Sequence, residues 1–392
     1  MSDWSLVETA TRAVNPPLDP PFAAVDLVAL RANAADLARR AARVPIRVAT
    51  KSVRCRAVLD LVLAEPGFSG LMAYSLAEAL WLHEHGARDV LVGYPTVDRS
   101  ALRRLVADPV ATRSITVMVD DPAQVDLIEK VRAEAGAGTP PTRVCLDVDA
   151  SLRVGRVHIG VRRSPVHTPA QAESAARHLA ERAGVRLVAL MVYDAQIAGL
   201  PDSSAAVRAM KRVSARELNR RRRAVVQTVS RYAELELVNG GGTGSLDVVS
   251  ASGLTEVAAG SGLYGPALFD HYRDFTPRPA LAFALPVTRR PAGGIRTLFS
   301  GGYVASGAAG ADRLPRPFFP RDLRLLQTEG AGEVQTPVSG PDAAGLAVGD
   351  LVWFRHAKAG EVCERFNELH LVEQDGSVTT VPTYRGEGQC FG

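Results

Sequence analysis

Lys51 closes a short strand-like run, Val48-Ala49-Thr50-Lys51-Ser52. A lysine at the mouth of a fold is partly desolvated, which favours its neutral amine, and that amine can add to a carbonyl to form a Schiff base. On position alone, a lysine snorkelling to the rim explains it equally well. Two glycine-rich stretches lie far downstream, Asn239-Gly240-Gly241-Gly242-Thr243-Gly244-Ser245 and Gly260-Ser261-Gly262-Leu263-Tyr264-Gly265-Pro266. Glycines let backbone N–H groups converge on an anion, and a helix start behind them adds positive potential. One such loop is usually a turn; two of them, together with a candidate imine-forming lysine, are more specific. Neither fits G-x-x-x-x-G-K-[ST], which disfavours a P-loop nucleotidase.

Short apolar runs alternate with helix-patterned segments and would position these residues. The strand candidates are Ile46–Thr50, Leu71–Ser75, Val90–Tyr94, Ile115–Val119, Val144–Val148, Leu187–Val192, Leu235–Val238 and Glu256–Ala259, eight in all. Between them, segments such as Ser75–His85, Pro122–Glu134, Pro169–Ala183 and Ala215–Ala233 carry apolar residues at helical spacing. Strict alternation implies parallel strands with right-handed crossovers, and eight units match a closed (β/α)8 TIM-type barrel with its active site at the C-terminal strand ends. An open doubly wound sheet would favour a glycine fingerprint where this chain has Thr50-Lys51-Ser52. The glycine stretches then follow the seventh and eighth strands, where barrels commonly hold phosphate. A Schiff-base lysine with a phosphate cradle is what pyridoxal phosphate requires.

The 392 residues suggest a barrel over 22–280 and a mostly β C-terminal domain over 281–392, with the proline-rich residues 1–21 packed on the latter. A formal net charge of +4 is small, and the run Arg220-Arg221-Arg222-Arg223 has no interleaved aromatics, so it reads as a solvated helix face and not a nucleic-acid surface. No apolar run is long enough to cross a bilayer and no export signal opens the chain. The four cysteines are dispersed, as reduced thiols of a cytoplasmic protein would be.

Lys51, the Asp147–Arg153 segment, Tyr193 and the two glycine stretches resemble the alanine racemase-type barrel of pyridoxal-phosphate enzymes (fold type III), and within it the D-threonine aldolase and D-serine dehydratase branch. The resemblance covers nearly the whole chain. It implies that Lys51 forms the Schiff base with the cofactor and that Arg153 faces the cofactor ring, with Arg156, Arg162 and Arg163 as neighbouring alternatives. It implies that Tyr193 packs on or bonds the cofactor, and that Gly242, Thr243, Gly260, Ser261 and Tyr264 hold its phosphate. A core tyrosine and a surface arginine are the plain readings of Tyr193 and Arg153.

The same branch is expected to bind a divalent ion, zinc or manganese, through a histidine and a Cys or Asp two residues later. Here the string is Arg355-His356-Ala357-Lys358-Ala359-Gly360-Glu361-Val362-Cys363, so His356 is present and Lys358 stands at the second-ligand position. Cys363 or Glu361 can substitute only if the chain turns back; without metal, His356 is a candidate general acid or base. Tyr303 and the tail Tyr384-Arg385-Gly386 are without an assigned role. The implied activity is a lyase on β-hydroxy amino acids of D configuration, by retro-aldol cleavage or by dehydration and deamination, in a homodimer. An amino-acid racemase on the same scaffold and a non-catalytic cofactor-binding protein are the alternatives.

Overall fold

The computed structural model describes residues 4–136, 138–249 and 253–392. Its strands, in chain order, begin with β1 Phe22–Asp26, β2 Ile46–Ala49, β3 Phe68–Ala73, β4 Val90–Pro95, β5 Ile115–Val119 and β6 Thr142–Asp147. A small ribbon follows, β7 Leu152–Val154 and β8 Val157–Ile159, then β9 Val185–Val192, β10 Leu237–Gly240 and β11 Glu256–Ala259. Eight of these close a barrel in the order β10-β11-β2-β3-β4-β5-β6-β9, and every pairing round the ring is parallel. All eight candidates from the sequence are there, with ends shifted by up to three residues.

The barrel forms because its strands are buried on both faces: β2, β5 and β11 are buried at every residue. Such strands read as continuous apolar runs, which is why they are legible without alternation. Leu91, Met118, Cys145, Val188, Ala189 and Met191 form one core cluster of this unit. The connecting helices start on side-chain caps, including capping boxes at Asp121 and Thr168, each with proline in the first turn. An ion pair is buried in the wall: Arg47 on β2, 2% exposed, bonds Glu256 on β11 at 2.7 Å and also Asp89 at 2.9 Å, and Asn239 donates to Glu256 at 2.6 Å.

The arginine run corrects its sequence reading. It lies in a helix Ala205–Val229, and only Arg220 and Arg223 are solvent-facing; Arg221 and Arg222 are buried. Successive helical residues are about 100° apart, so four in a row cannot share one face. Arg221 donates to the carbonyls of Asp149 at 2.7 Å, Ser151 at 2.9 Å and His167 at 3.1 Å, tying down the chain after β6.

The remaining strands are β12 Leu281–Ala292, β13 Ile295–Phe299, β14 Arg316–Phe319, β15 Arg324–Leu325, β16 Gln335–Ser339, β17 Leu351–Arg355, β18 Glu368–Val372 and β19 Val378–Pro382. Together with β1 they make a nine-stranded sheet, in which β1 pairs antiparallel with β12 and parallel with β18. A helix Trp4–Arg12, absent from the sequence reading, buries Trp4, Val7 and Ala10 against Phe22, Ala24 and Trp353. By contacts the chain divides into a barrel unit, Leu37–Thr50, Pro66–Gly260 and Phe391–Gly392, and a sheet unit with the residues up to Asp36, Lys51–Glu65 and Ser261–Cys390. The simple boundaries at 22 and 280 therefore shift: β1 belongs to the sheet, and the segment that begins at Lys51 is held by the sheet unit. No helix among the described residues is long and apolar enough to cross a membrane.

Candidate active site

Parallel strands put all eight C-terminal ends on one rim. On it, β10, β11 and β2 are consecutive. β10 leads into the first glycine stretch, β11 into Gly260-Ser261, and β2 into a 3-10 turn, Thr50–Ser52, that presents Lys51 as an exposed side chain. Three features far apart in sequence thus leave adjacent strands.

Tyr193 follows β9, the other neighbour of β10. A Cβ built on Gly242 would stand 3.3 Å from Tyr193 Cε2 and 3.0 Å from Ala198 Cβ, so the ring lies against a turn that tolerates little side chain. Gly242 N–H donates to Ser245 Oγ at 3.1 Å, and Thr243 is buried. A glycine turn with an aromatic ring laid along it is compatible with a phosphorylated aromatic cofactor, for which Gly242, Thr243 and Tyr193 would be the residues that hold it.

The arginine beside this ring is Arg163. Its guanidinium carbon lies 5.4 Å from the Tyr193 ring centre and 5.8 Å from that of Tyr94, within cation–π range. Arg153 is instead on β7, about two-fifths exposed, and bonds Asp149 at 2.5 Å. Asp147, the last residue of β6, is pushed up to about 7 by burial and by nearby Asp120, against the pull of Arg163. Burial, then Asp194, pushes the Tyr193 phenol up to about 12. Arg163 is one of the neighbouring alternatives to Arg153 in the sequence, whereas Tyr94 and Asp120 are not singled out there; only their places at strand ends could have flagged them.

Within the sheet unit, Tyr264 is fully buried and its hydroxyl donates to the Val53 carbonyl at 3.1 Å, so its side chain buttresses the Lys51 turn. Ser261 opens a four-residue helical turn, Ser261–Tyr264. His356 is 2% exposed, and both its ring nitrogens lack a hydrogen-bond partner among the described residues. Burial, reinforced by the charge of Arg355, pushes it down to about 3, so it is a neutral imidazole. Cys363 is a buried thiol pushed up by burial, next to Cys55 and Tyr264. Tyr303 is packed edge-on against Phe283 and Phe366, with its hydroxyl on Ser300 Oγ at 2.9 Å.

His356 and Cys363 are the residues on which the resemblance implies a divalent ion. Lys358 carries an ammonium two residues from His356, and no group of three or more His, Cys, Asp or Glu side chains that could hold an ion occurs among the described residues. The sequence expectation of zinc or manganese on this pair thus lacks a suitable donor set.

Residues 25–267 match the alanine racemase N-terminal domain family, and the chain belongs to it. No curated protein matches the chain in sequence. Among solved structures, D-threonine aldolase from Filomicrobium marinum superposes with a TM-score of 0.79 at 21% identity, over 95% of this chain and 96% of that one. D-threo-3-hydroxyaspartate dehydratase from Delftia sp. HT23 gives 0.66 at 21%, over 93% and 97%. Alanine racemase from Corynebacterium glutamicum gives 0.60 at 16%, over 89% and 93%. These likenesses show a shared fold, a barrel with an appended sheet.

Proposed function

We propose that the protein is a pyridoxal-phosphate-dependent lyase acting on β-hydroxy amino acids of D configuration, with Lys51 as its Schiff-base lysine. The observation that carries this reading is the order β10-β11-β2, which sends the two glycine stretches and Lys51 out of adjacent strands. Pyridoxal phosphate, when bound, supplies a carbonyl for an imine and a conjugated ring that accepts the electrons of a bond broken at Cα. Gly242, Thr243, Gly260 and Ser261 hold the phosphate, and Tyr193 with Arg163 flanks the ring. The Lys51 amine, once exchanged for the substrate's amine, is placed to take a proton from the substrate. Overlap with an aldolase and a dehydratase along nearly their whole length favours a lyase. The family's subunits are expected to pair, so the active form is a homodimer.

The racemase reading is supported by the overlap with alanine racemase. It demands acid/base groups on both faces of Cα and exchange of the α-proton without loss of the side chain. Incubation with D- and L-serine, threonine and alanine in deuterium oxide tests the choice. The lyase releases an aldehyde or a keto acid from a hydroxylated substrate, whereas label at Cα with inversion and no cleavage would establish a racemase. A visible absorbance band without turnover of any amino acid would identify a binding protein.

A further inference from the structure

The string after β17 is built against the Lys51 turn. Gly360 has φ +89, and a Cβ on it would fall 1.8 Å from the Lys51 carbonyl oxygen and 2.9 Å from Ser52 Cα. That approach is open only to glycine, both for φ and for space. Arg54 donates to the same Lys51 carbonyl at 3.1 Å and is anchored to Glu364 at 2.5 Å. The string is fixed from behind as well: the N–H groups of Ala267 and Leu268 donate to the carbonyls of His356 at 3.0 Å and Ala357 at 3.1 Å.

Lys358 precedes Gly360 by two residues, so its Cα lies within about 7 Å of a backbone that touches Lys51. It is half-buried, and its ammonium donates to Ser306 Oγ at 3.1 Å. Ser306 is set in place by its own N–H, which donates to Glu361 at 2.8 Å. Among the described ion pairs none includes Lys358. An ammonium has three donors, and one is spent here on a neutral hydroxyl. The segment that packs on the Lys51 turn thus carries, two residues before Gly360, a cation fixed by one hydrogen bond to a neutral hydroxyl.

Resting on the lyase reading above, we propose that the Lys358 ammonium serves as the cation for the substrate's β-oxygen, that the reaction needs no divalent metal, and that it is loss of water, not retro-aldol cleavage. The distinction follows from proton direction. Retro-aldol cleavage must remove the proton of the β-hydroxyl, whereas an ammonium can only donate one. In dehydration, the Cα proton passes to the Lys51 amine and its electron pair forms the Cα–Cβ double bond. The Cβ–O bond breaks, and the oxygen leaves as water with a proton from Lys358 Nζ. The enamine released takes up water to give a keto acid and ammonia. Lys51 returns its proton to solvent and Lys358 regains one, so the balance closes without an oxidant or reductant.

The test uses the holoenzyme after exhaustive chelation. Calorimetric titration with zinc and manganese chloride should show no stoichiometric uptake, and turnover of D-serine or D-threonine should give keto acid at an unchanged rate. Lys358→Met should lower kcat by about 100-fold or more, the usual range for a lost general acid, with the visible absorbance band intact; Lys358→Arg, which keeps the charge but cannot release a proton, should recover binding of D-serine and not kcat. Spectral titration gives a second readout: Lys358→Met should weaken binding of D-serine but not of D-alanine. Uptake of one metal per chain that His356→Ala abolishes, aldehyde as product, or indifference of both readouts to Lys358→Met would overturn the proposal. Should borohydride fail to label Lys51, the lyase reading falls instead.

Discussion

The guanidinium of Arg163 faces the Tyr193 ring at 5.4 Å, and the same charge pulls on the carboxyl of Asp147. β6 and β9 are neighbours, so Asp147 and Tyr193 leave adjacent strands, and Arg163 reaches both from the connection between them. A cation–π contact of this kind is worth about 1 kcal/mol. Arg163→Ala is therefore expected to weaken pyridoxal phosphate binding roughly fivefold, read by spectral titration of the cofactor-free protein. Arg163→Lys should recover little, because an ammonium lacks the planar face that stacks on a ring. Equal affinity in all three proteins would remove Arg163 from the site.

Asp147 gives a pH signature. Its carboxyl, pushed up to about 7 by burial and Asp120, binds a proton in the folded protein under conditions where the unfolded chain has lost it. Stability must then fall as pH rises from the usual carboxylate range to about 7, and level off above. Asp147→Asn removes that penalty. It should raise the melting temperature of the cofactor-free protein at pH 8 by more than at pH 5. A uniform shift at both pH values would show that Asp147 ionises normally.

Gly360→Ala tests how Lys51 is positioned. The new Cβ collides with the Lys51 carbonyl, which is backbone and cannot swing aside. The variant should bind pyridoxal phosphate at least tenfold more weakly and trap less of it on borohydride reduction, while keeping the barrel's circular dichroism. Arg54→Ala, which removes a hydrogen bond without adding bulk, should give a milder defect in the same direction. Normal trapping in Gly360→Ala would mean that the turn is not held from the sheet unit.

Much of this architecture can be read from the chain before folding it. The barrel strands are legible because burial on both faces leaves runs such as Ile115–Val119 with no charged residue. β1 is not among the strand candidates; residue 22 enters only as the start of the barrel range, and pairing with β12 and β18 assigns Phe22–Asp26 to the sheet. The helix Ala205–Val229 reaches ten residues further upstream than its apolar pattern suggested, carried by the Ser204 cap and a long polar face. Lys51 and the glycine stretches announce themselves by residue type and place. Arg163 does not, because six arginines lie between β6 and β9 and tertiary folding alone selects one. Tyr264 matched a phosphate ligand in sequence, yet its hydroxyl is engaged by Val53.

Arg47 is the stability prediction. Its guanidinium, 2% exposed, joins β2 to Glu256 on β11 and to Asp89 before β4. Truncation leaves Glu256 buried without its cation, a loss of about 3–5 kcal/mol for such a pair. Arg47→Ala should shift the chemical denaturation midpoint of the barrel by a corresponding amount. A cost below about 1 kcal/mol would show that water reaches Glu256 and compensates.

The most direct measurement is borohydride reduction of the protein incubated with pyridoxal phosphate, followed by peptide mapping by mass spectrometry. The pyridoxyl mass is expected on Lys51 alone, with Lys51→Ala unlabelled and lacking the visible band. Label on another lysine, or none in the wild-type chain, would contradict the assignment of this barrel rim as a pyridoxal phosphate site.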